Sequence, residues 1–128
     1  MIYLDSSVVL ARLFAEDPQP PDDFWAEDLI SSRLLEYEVW TRAHVRGLSS
    51  DDQARVWDIF LGFEFVEMSQ LALARALEPF PSPLRTLDAL HLATADFLRR
   101  QGKYVQLASY DRRLLTAAEA LSIPIRRI

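Results

Sequence analysis

Short β-prone runs alternate with helical stretches along the whole chain, and this alternation leaves few architectures open. Residues 2–4, 29–30, 63–68, 104–108 and 123–128 are apolar or aromatic runs of strand length. Between them lie stretches with helical periodicity. One runs over 8–15 after Asp5, Ser6 and Ser7, and one over 33–45, with Ser31 and Ser32 as N-cap candidates and Gly47 as terminator. Another leads from Ser49, Ser50 and Asp51 through Phe60. A short helix through Leu77 stops at Pro79, Pro81 and Pro83, a longer one carries Asp88 to near Gly102, and the last spans 111–121. Strands alternating with helices predict a central parallel sheet covered on both faces, a three-layer α/β arrangement with right-handed crossovers. Pro124 in the last run fits an edge strand. The 128 residues, half of them hydrophobic, suit a single domain over residues 1–128.

Charge narrows the partners. Fourteen basic residues stand against 19 acidic ones, so the formal net charge of -5 gives no global attraction to nucleic acid or an anionic membrane. Any polyanion must be held locally. The absence of cysteine removes disulfides, thiol catalysis and thiolate zinc sites, and two histidines, His44 and His91, are too few for a histidine-built metal cage. No basic leader with a long apolar stretch and no run of membrane-spanning length is present, so a cytoplasmic protein with no membrane partner is expected.

One segment carries the chemistry. Residues 83–95, PLRTLDALHLATA, place an ionisable Asp88 in a helix that is apolar nearly all round, with Leu84 and Leu92 on its own face and Leu87, Leu90 and Leu98 on the next. A local account exists: Thr86 caps the helix and Asp88 faces the positive end of its dipole. Three more acids raise the same question. Asp5 follows the first strand in LDSS, and Asp111 follows a late one in LASYDRRLL; both can serve as N-caps. Glu38 lies on a helical face with Leu34, Thr41 and Val45 that points toward the sheet, whereas Glu36 sits nearer the helix start, where the dipole accounts for it. In a parallel α/β sheet the ligand site lies beyond the carboxyl ends of the strands. Four carboxylates gathered there repel one another unless a divalent cation keeps them ionised, and an all-oxygen ligand set selects Mg²⁺ or Mn²⁺.

Together YLDSSVVLARL, SSRLLEYEVWTRA, LRTLDALHLATA and LASYDRRLLTAAEALSI resemble the PIN-domain ribonucleases, specifically VapC toxins of toxin-antitoxin pairs. The resemblance runs from Tyr3 to beyond Ala118 and departs from the usual pattern in the short, proline-rich 16–27 region. It implies a PIN-like parallel sheet and Mg²⁺- or Mn²⁺-dependent hydrolysis of RNA phosphodiesters. Asp5, Glu38, Asp88 and Asp111 would be the catalytic, metal-holding acids, with Ser7 and Ser109 in support. It further implies a homodimer, a VapB-like antitoxin whose tail covers the acidic groove, and a structured RNA, transfer or ribosomal, as substrate.

Arg42, Arg46, Arg112 and Arg113 flank these acids and are candidate phosphate contacts. Arg99, Arg100, Lys103, Arg126 and Arg127 read as solvated faces, and His91 as a satisfied core histidine. Trp25, Trp40 and Trp57 read as core or interface, and Phe60, Phe63 and Phe65 as exposed aromatics available to an interface. Two other readings compete with the nuclease. One is a phosphatase using Asp5 as nucleophile, similar to the haloacid dehalogenases, although those place a second Asp where this chain has Ser7; the other is a module that binds RNA or a partner without cleaving.

Overall fold

The computed structural model describes all 128 residues. Its sheet has four parallel strands, β1 (Ile2–Leu4), β2 (Leu29–Ser32), β3 (Phe63–Val66) and β4 (Gln106–Ala108), in the order β3-β2-β1-β4. Six helices flank it: α1 (Ser6–Leu13), α2 (Leu34–Arg46), α3 (Ser50–Phe60), α4 (Gln70–Leu77), α5 (Thr86–Arg100) and α6 (Arg112–Ala120). The proline-rich segment forms a short 3₁₀ turn, Asp22–Ala26, that buries Phe24. No helix is long and apolar enough to cross a membrane.

The strand pleat sorts the core into two layers. Ile2 and Leu4 of β1 pack with Val8, Val9, Leu35, Val39 and Val56 of α1 to α3. Tyr3, pointing the other way, joins Leu92, Ala95, Leu98, Leu114 and Ala117 of α5 and α6. Both faces of the sheet are thereby covered, and β1 and β2 are buried along their whole length, whereas the edge strand β3 exposes Glu64.

The sequence places most elements correctly and misses several ends for identifiable reasons. Residues 123–128 do not form a strand. Leu107 bonds the Pro124 carbonyl and the Arg126 amide, leaving a single bridge, Leu107 to Ile125, because Pro124 has no N–H with which to extend the ladder. β4 begins at Gln106 rather than residue 104, since its partner β1 begins only at Ile2. Ser31 and Ser32 belong to β2, and Arg33 takes the N-cap position of α2; Ser31 Oγ donates to the Leu4 carbonyl, while Ser32 Oγ still serves the helix start by accepting from the Leu34 amide. The buried stripe of α2 is Leu35, Val39 and Ala43, so Thr41 and Val45 face outward, and Glu38 sits at the edge of the stripe. Gly47 ends α2 at φ 74°, a left-handed conformation that favours glycine.

The start of α3 is a capping box. The Asp52 amide donates to Ser49 Oγ at 3.1 Å and the Ser49 amide to Asp52 Oδ2 at 3.3 Å. Ser49→Ala should therefore cost about 1 kcal/mol of stability, read as a lower urea midpoint with an unchanged slope.

The strand order fixes where a ligand site can be. The chain steps outward from β1 through β2 to β3, then returns to place β4 on the other side of β1. The reversal between β1 and β4 opens a crevice beyond their carboxyl ends, where Asp5 and Ser109 follow.

Candidate active site

Asp5 leaves β1 at Leu4 and occupies the N-cap position of α1, yet its carboxylate makes no capping bond. Ser7 Oγ donates to Asp5 Oδ1 at 2.7 Å instead. The same hydroxyl accepts from the Tyr110 amide at 3.0 Å and lies 3.4 Å from Ser109 Oγ, so Ser7 ties the end of β1 to the end of β4. Ser109 Oγ in turn accepts from the Asp111 amide at 2.9 Å. Asp111 does cap: its Oδ1 accepts from the Arg113 and Leu114 amides at the start of α6, leaving Oδ2 without a protein donor.

Glu38 reaches the same crevice from α2. Ser6 Oγ donates to its Oε2 at 3.0 Å, and its Oε1 contacts His91 Nε2. Asp88 stands in the first turn of α5, whose N-cap is Arg85, so the expectation that Thr86 caps this helix fails; Arg85 makes no side-chain cap either. The helix dipole remains at hand for Asp88, but no hydroxyl anchors the helix start.

These acids feel one another. Burial pushes the Asp5 carboxyl up to about 6; the Ser7 and Ser109 hydroxyls work against that rise, and the Glu38 charge adds to it. Asp88 is also raised, first by burial and then by the Asp111 charge, with Glu38 contributing. No arginine or lysine pairs with any of the four, and His91 is the only basic side chain in contact, on Glu38. No three of them converge on one coordination point, as expected of carboxylates repelling each other without an intervening positive charge.

A second acid in the protein shows the opposite design. Asp96 on α5 is buried, and burial by itself would raise its carboxyl too. Hydrogen bonds from Arg75 and Arg99 and the charge of Arg100 outweigh that, holding it below the ordinary carboxylate range. A carboxylate buried for stability has arginines around it; Asp5 has hydroxyls and other acids.

The sequence profile of the PIN domain matches residues 2–120. The chain belongs to the PIN-domain family. Relatives of this PIN domain include Ribonuclease VapC35 of Mycobacterium tuberculosis, 35% identical over 98% of this chain and 95% of that one. Ribonuclease VapC46 of the same organism is also 35% identical, over 97% of this chain and 95% of that one. Among solved structures the fold is similar to VapBC2 from Rickettsia felis, crystallised with a DNA fragment from its promoter, at a TM-score of 0.74 and 13% identity over 99% of this chain and 98% of that one.

Around the acids of the PIN domain, the arginines divide. Arg42 and Arg46 project from α2 into a groove of about 480 Å³ against α1, lined also by Ser7, Leu10, Phe14 and Tyr110. Arg42 has no ion-pair partner, while the Arg46 guanidinium lies 4.1 Å from the centroid of the Phe14 ring. Arg112 and Arg113 are exposed at the start of α6. Three arginines read from sequence as solvated are ion-paired instead: Arg99 and Arg100 to Asp96, Arg100 also to Glu78, and Arg126 to Glu27. Asp96 precedes Arg99 and Arg100 by three and four residues, a helical spacing that the sequence does show, whereas Glu78 and Glu27 lie on other segments. Phe60 is buried, and Phe63 and Phe65 pack around it, so these rings belong to the core rather than to a free surface. Trp25 and Trp40 pack on the core as well, and Trp57 lies over Trp40 with ring centroids 5.2 Å apart.

The sequence reading missed Ser6 and Tyr3. Ser6 had a visible signal, since it is the other hydroxyl of LDSS. Tyr3 OH meets His91 Nδ1 at 2.8 Å across 88 positions of chain, and no local pattern announces it.

Proposed function

We propose that this chain is a Mg²⁺- or Mn²⁺-dependent endoribonuclease, the toxin of a toxin-antitoxin pair, acting on a structured transfer or ribosomal RNA. The observation that carries the reading is the group of four acids at the β1/β4 crevice, one fully buried and none paired with a lysine or arginine. An all-oxygen donor set of this kind suits a hard divalent cation. Asp5, Glu38, Asp88 and Asp111 would hold it. When bound, Mg²⁺ or Mn²⁺ supplies an activated water and offsets the charge on the scissile phosphodiester and its leaving oxygen.

The chain's own groups do the remaining work. Ser7 fixes Asp5, and Ser109 and the α6 amides fix Asp111, so these two acids are held in place before substrate arrives. Arg42, Arg46, Arg112 and Arg113 would take flanking phosphates, giving an acidic protein a local hold on RNA. A phosphatase reading is disfavoured, because Ser7 occupies the place of a second acid and its hydroxyl occupies Asp5 Oδ1. The VapC names of the relatives support an antitoxin of the VapB kind as partner, with a basic side chain over the acids as the means of inhibition. A homodimer and a cytoplasmic location belong to the same reading.

The test is cleavage of total cellular RNA by the purified chain with Mg²⁺, Mn²⁺ or EDTA. Discrete cuts that EDTA abolishes are expected, and mapping them identifies the substrate. Folded, antitoxin-free protein that cuts nothing with either metal overturns the nuclease in favour of a non-cleaving binding module.

A further inference from the structure

We infer that His91, held by Tyr3, is a positioning residue for Glu38, fixing that carboxylate as a cation ligand; this rests on the metal-dependent reading above. The three side chains form one line through the core. Tyr3 OH lies 2.8 Å from His91 Nδ1, and His91 Nε2 contacts Glu38 Oε1. Tyr3 and His91 are fully buried, and the two rings meet edge to face with centroids 5.8 Å apart.

Donor and acceptor roles follow from the chemistry of the end group. An ionised Glu38 can only accept, so Nε2 carries the proton and donates. Nδ1 of a neutral ring is then an acceptor, and the Tyr3 hydroxyl must be its donor. Tyr3 thus satisfies the free nitrogen of the tautomer that Glu38 requires, and holds the ring so that its N–H points at Glu38. Ser6 holds the second carboxylate oxygen at 3.0 Å, so Glu38 has one donor on each oxygen, and each oxygen keeps a further lone pair for a cation.

A core histidine that only filled space would have no reason to meet a functional acid at one end and a phenol at the other. This one connects three elements of the site: β1, which also presents Asp5 two residues after Tyr3; α5, which also presents Asp88 one turn before His91; and α2, which carries Glu38. Ligands oriented by an outer partner lose about 10- to 100-fold in metal affinity when that partner is removed.

The experiment combines Mn²⁺ titration with ¹⁵N NMR of the imidazoles. Only His44 and His91 are present, and His44 is exposed, so the two rings are distinguishable. In metal-free wild type His91 should show a single Nε2–H tautomer, and Tyr3→Phe, which leaves Nδ1 without its donor and the ring less firmly held, should bind Mn²⁺ about tenfold more weakly. His91→Leu should raise the Mn²⁺ dissociation constant about 10- to 100-fold. His91→Gln, which can return an N–H toward Glu38, should recover most of that loss, a rescue that a space-filling role does not predict. An Nδ1–H tautomer in wild type overturns the inference, and so does Mn²⁺ binding by folded His91→Leu within twofold of wild type. If His91→Leu fails to fold, the wild-type tautomer and the His91→Gln and Tyr3→Phe titrations decide the matter. Wild type that binds no Mn²⁺ overturns the metal reading, and this inference with it.

Discussion

Asp5→Asn is expected to abolish RNA cleavage and, in EDTA at pH 7, to raise the melting temperature. The two effects share one cause. The Asp5 carboxyl titrates at about 6 in the fold against an ordinary 3.8, a gap worth roughly 3 kcal/mol at about 1.4 kcal/mol per pH unit. Because the folded value is the higher one, the folded protein binds more protons between those two pH values. The stabilising effect of protonated Asp5 is full below pH 4 and is lost as pH rises through 6. At pH 7 the ionised carboxylate therefore costs the fold up to roughly 3 kcal/mol, and the neutral amide removes that cost. The gain will be smaller than the full figure, since the new NH₂ needs an acceptor where Oδ2 stood. Urea midpoints at pH 4.5 and 7 measure it: the wild type should weaken relative to Asp5→Asn on going to the higher pH. Saturating Mn²⁺ should reverse the order. A cation at a hundred times its dissociation constant stabilises the folded wild type by about 2.7 kcal/mol and the variant by much less. A variant that still cuts RNA, or that melts below wild type in EDTA, contradicts this account of Asp5.

Removing an arginine from Asp96 should do the reverse. Arg75→Met is expected to cost about 3 kcal/mol of stability, the lower end of the range for breaking a buried ion pair, because Arg99 and Arg100 remain on Asp96. The side chains of Arg75 and Asp96 are only 4% and 1% exposed. The Arg75 guanidinium also lies 4.5 Å from the centroid of the Phe80 ring, so its loss costs packing as well as charge. Through this pair α4 is held on α5, and α5 carries both Asp88 and His91. The double replacement Arg75→Met with Asp96→Leu should restore most of the loss, since an apolar pair of similar volume leaves no buried charge unpaired. Urea unfolding of the four proteins measures the coupling. An Arg75→Met protein within 1 kcal/mol of wild type would mean that the network contributes little.

The contrast between these acids marks how far the sequence could be read. Asp5, Glu38, Asp88 and Asp111 were visible because each is an acid at a strand end or helix start among apolar neighbours, and the topology brings all four to one crevice. The capping explanation was legible too, but only coordinates distinguish Asp111, which caps, from Asp5, which does not. Asp96 has Arg99 and Arg100 at helical spacing in the sequence, but its buried partner Arg75 lies on another helix, 21 residues away, so its burial was not legible. The face of α2 was misjudged by one position: Leu34 and Leu35 both suit an apolar stripe, and the sheet accepted Leu35. Strand ends were lost where a partner was too short to pair, as at residues 104–105, or lacked an N–H, as at Pro124.

The order β3-β2-β1-β4 also sets when the crevice is completed as the chain is made. The first strand occupies the middle of the sheet, and the strand beside it on the β4 side is the last to be synthesised. Asp111 and the hydroxyl clamp between Ser7 and Ser109 come into being only when that strand is laid against β1. Chains emerge from the ribosome amino end first, so a growing chain already displays Asp5, Glu38 and Asp88 while the fourth acid is still inside the tunnel. A chain that has exposed only its first three strands therefore lacks both the fourth acid and the clamp, and the crevice is completed as the last act of building the sheet.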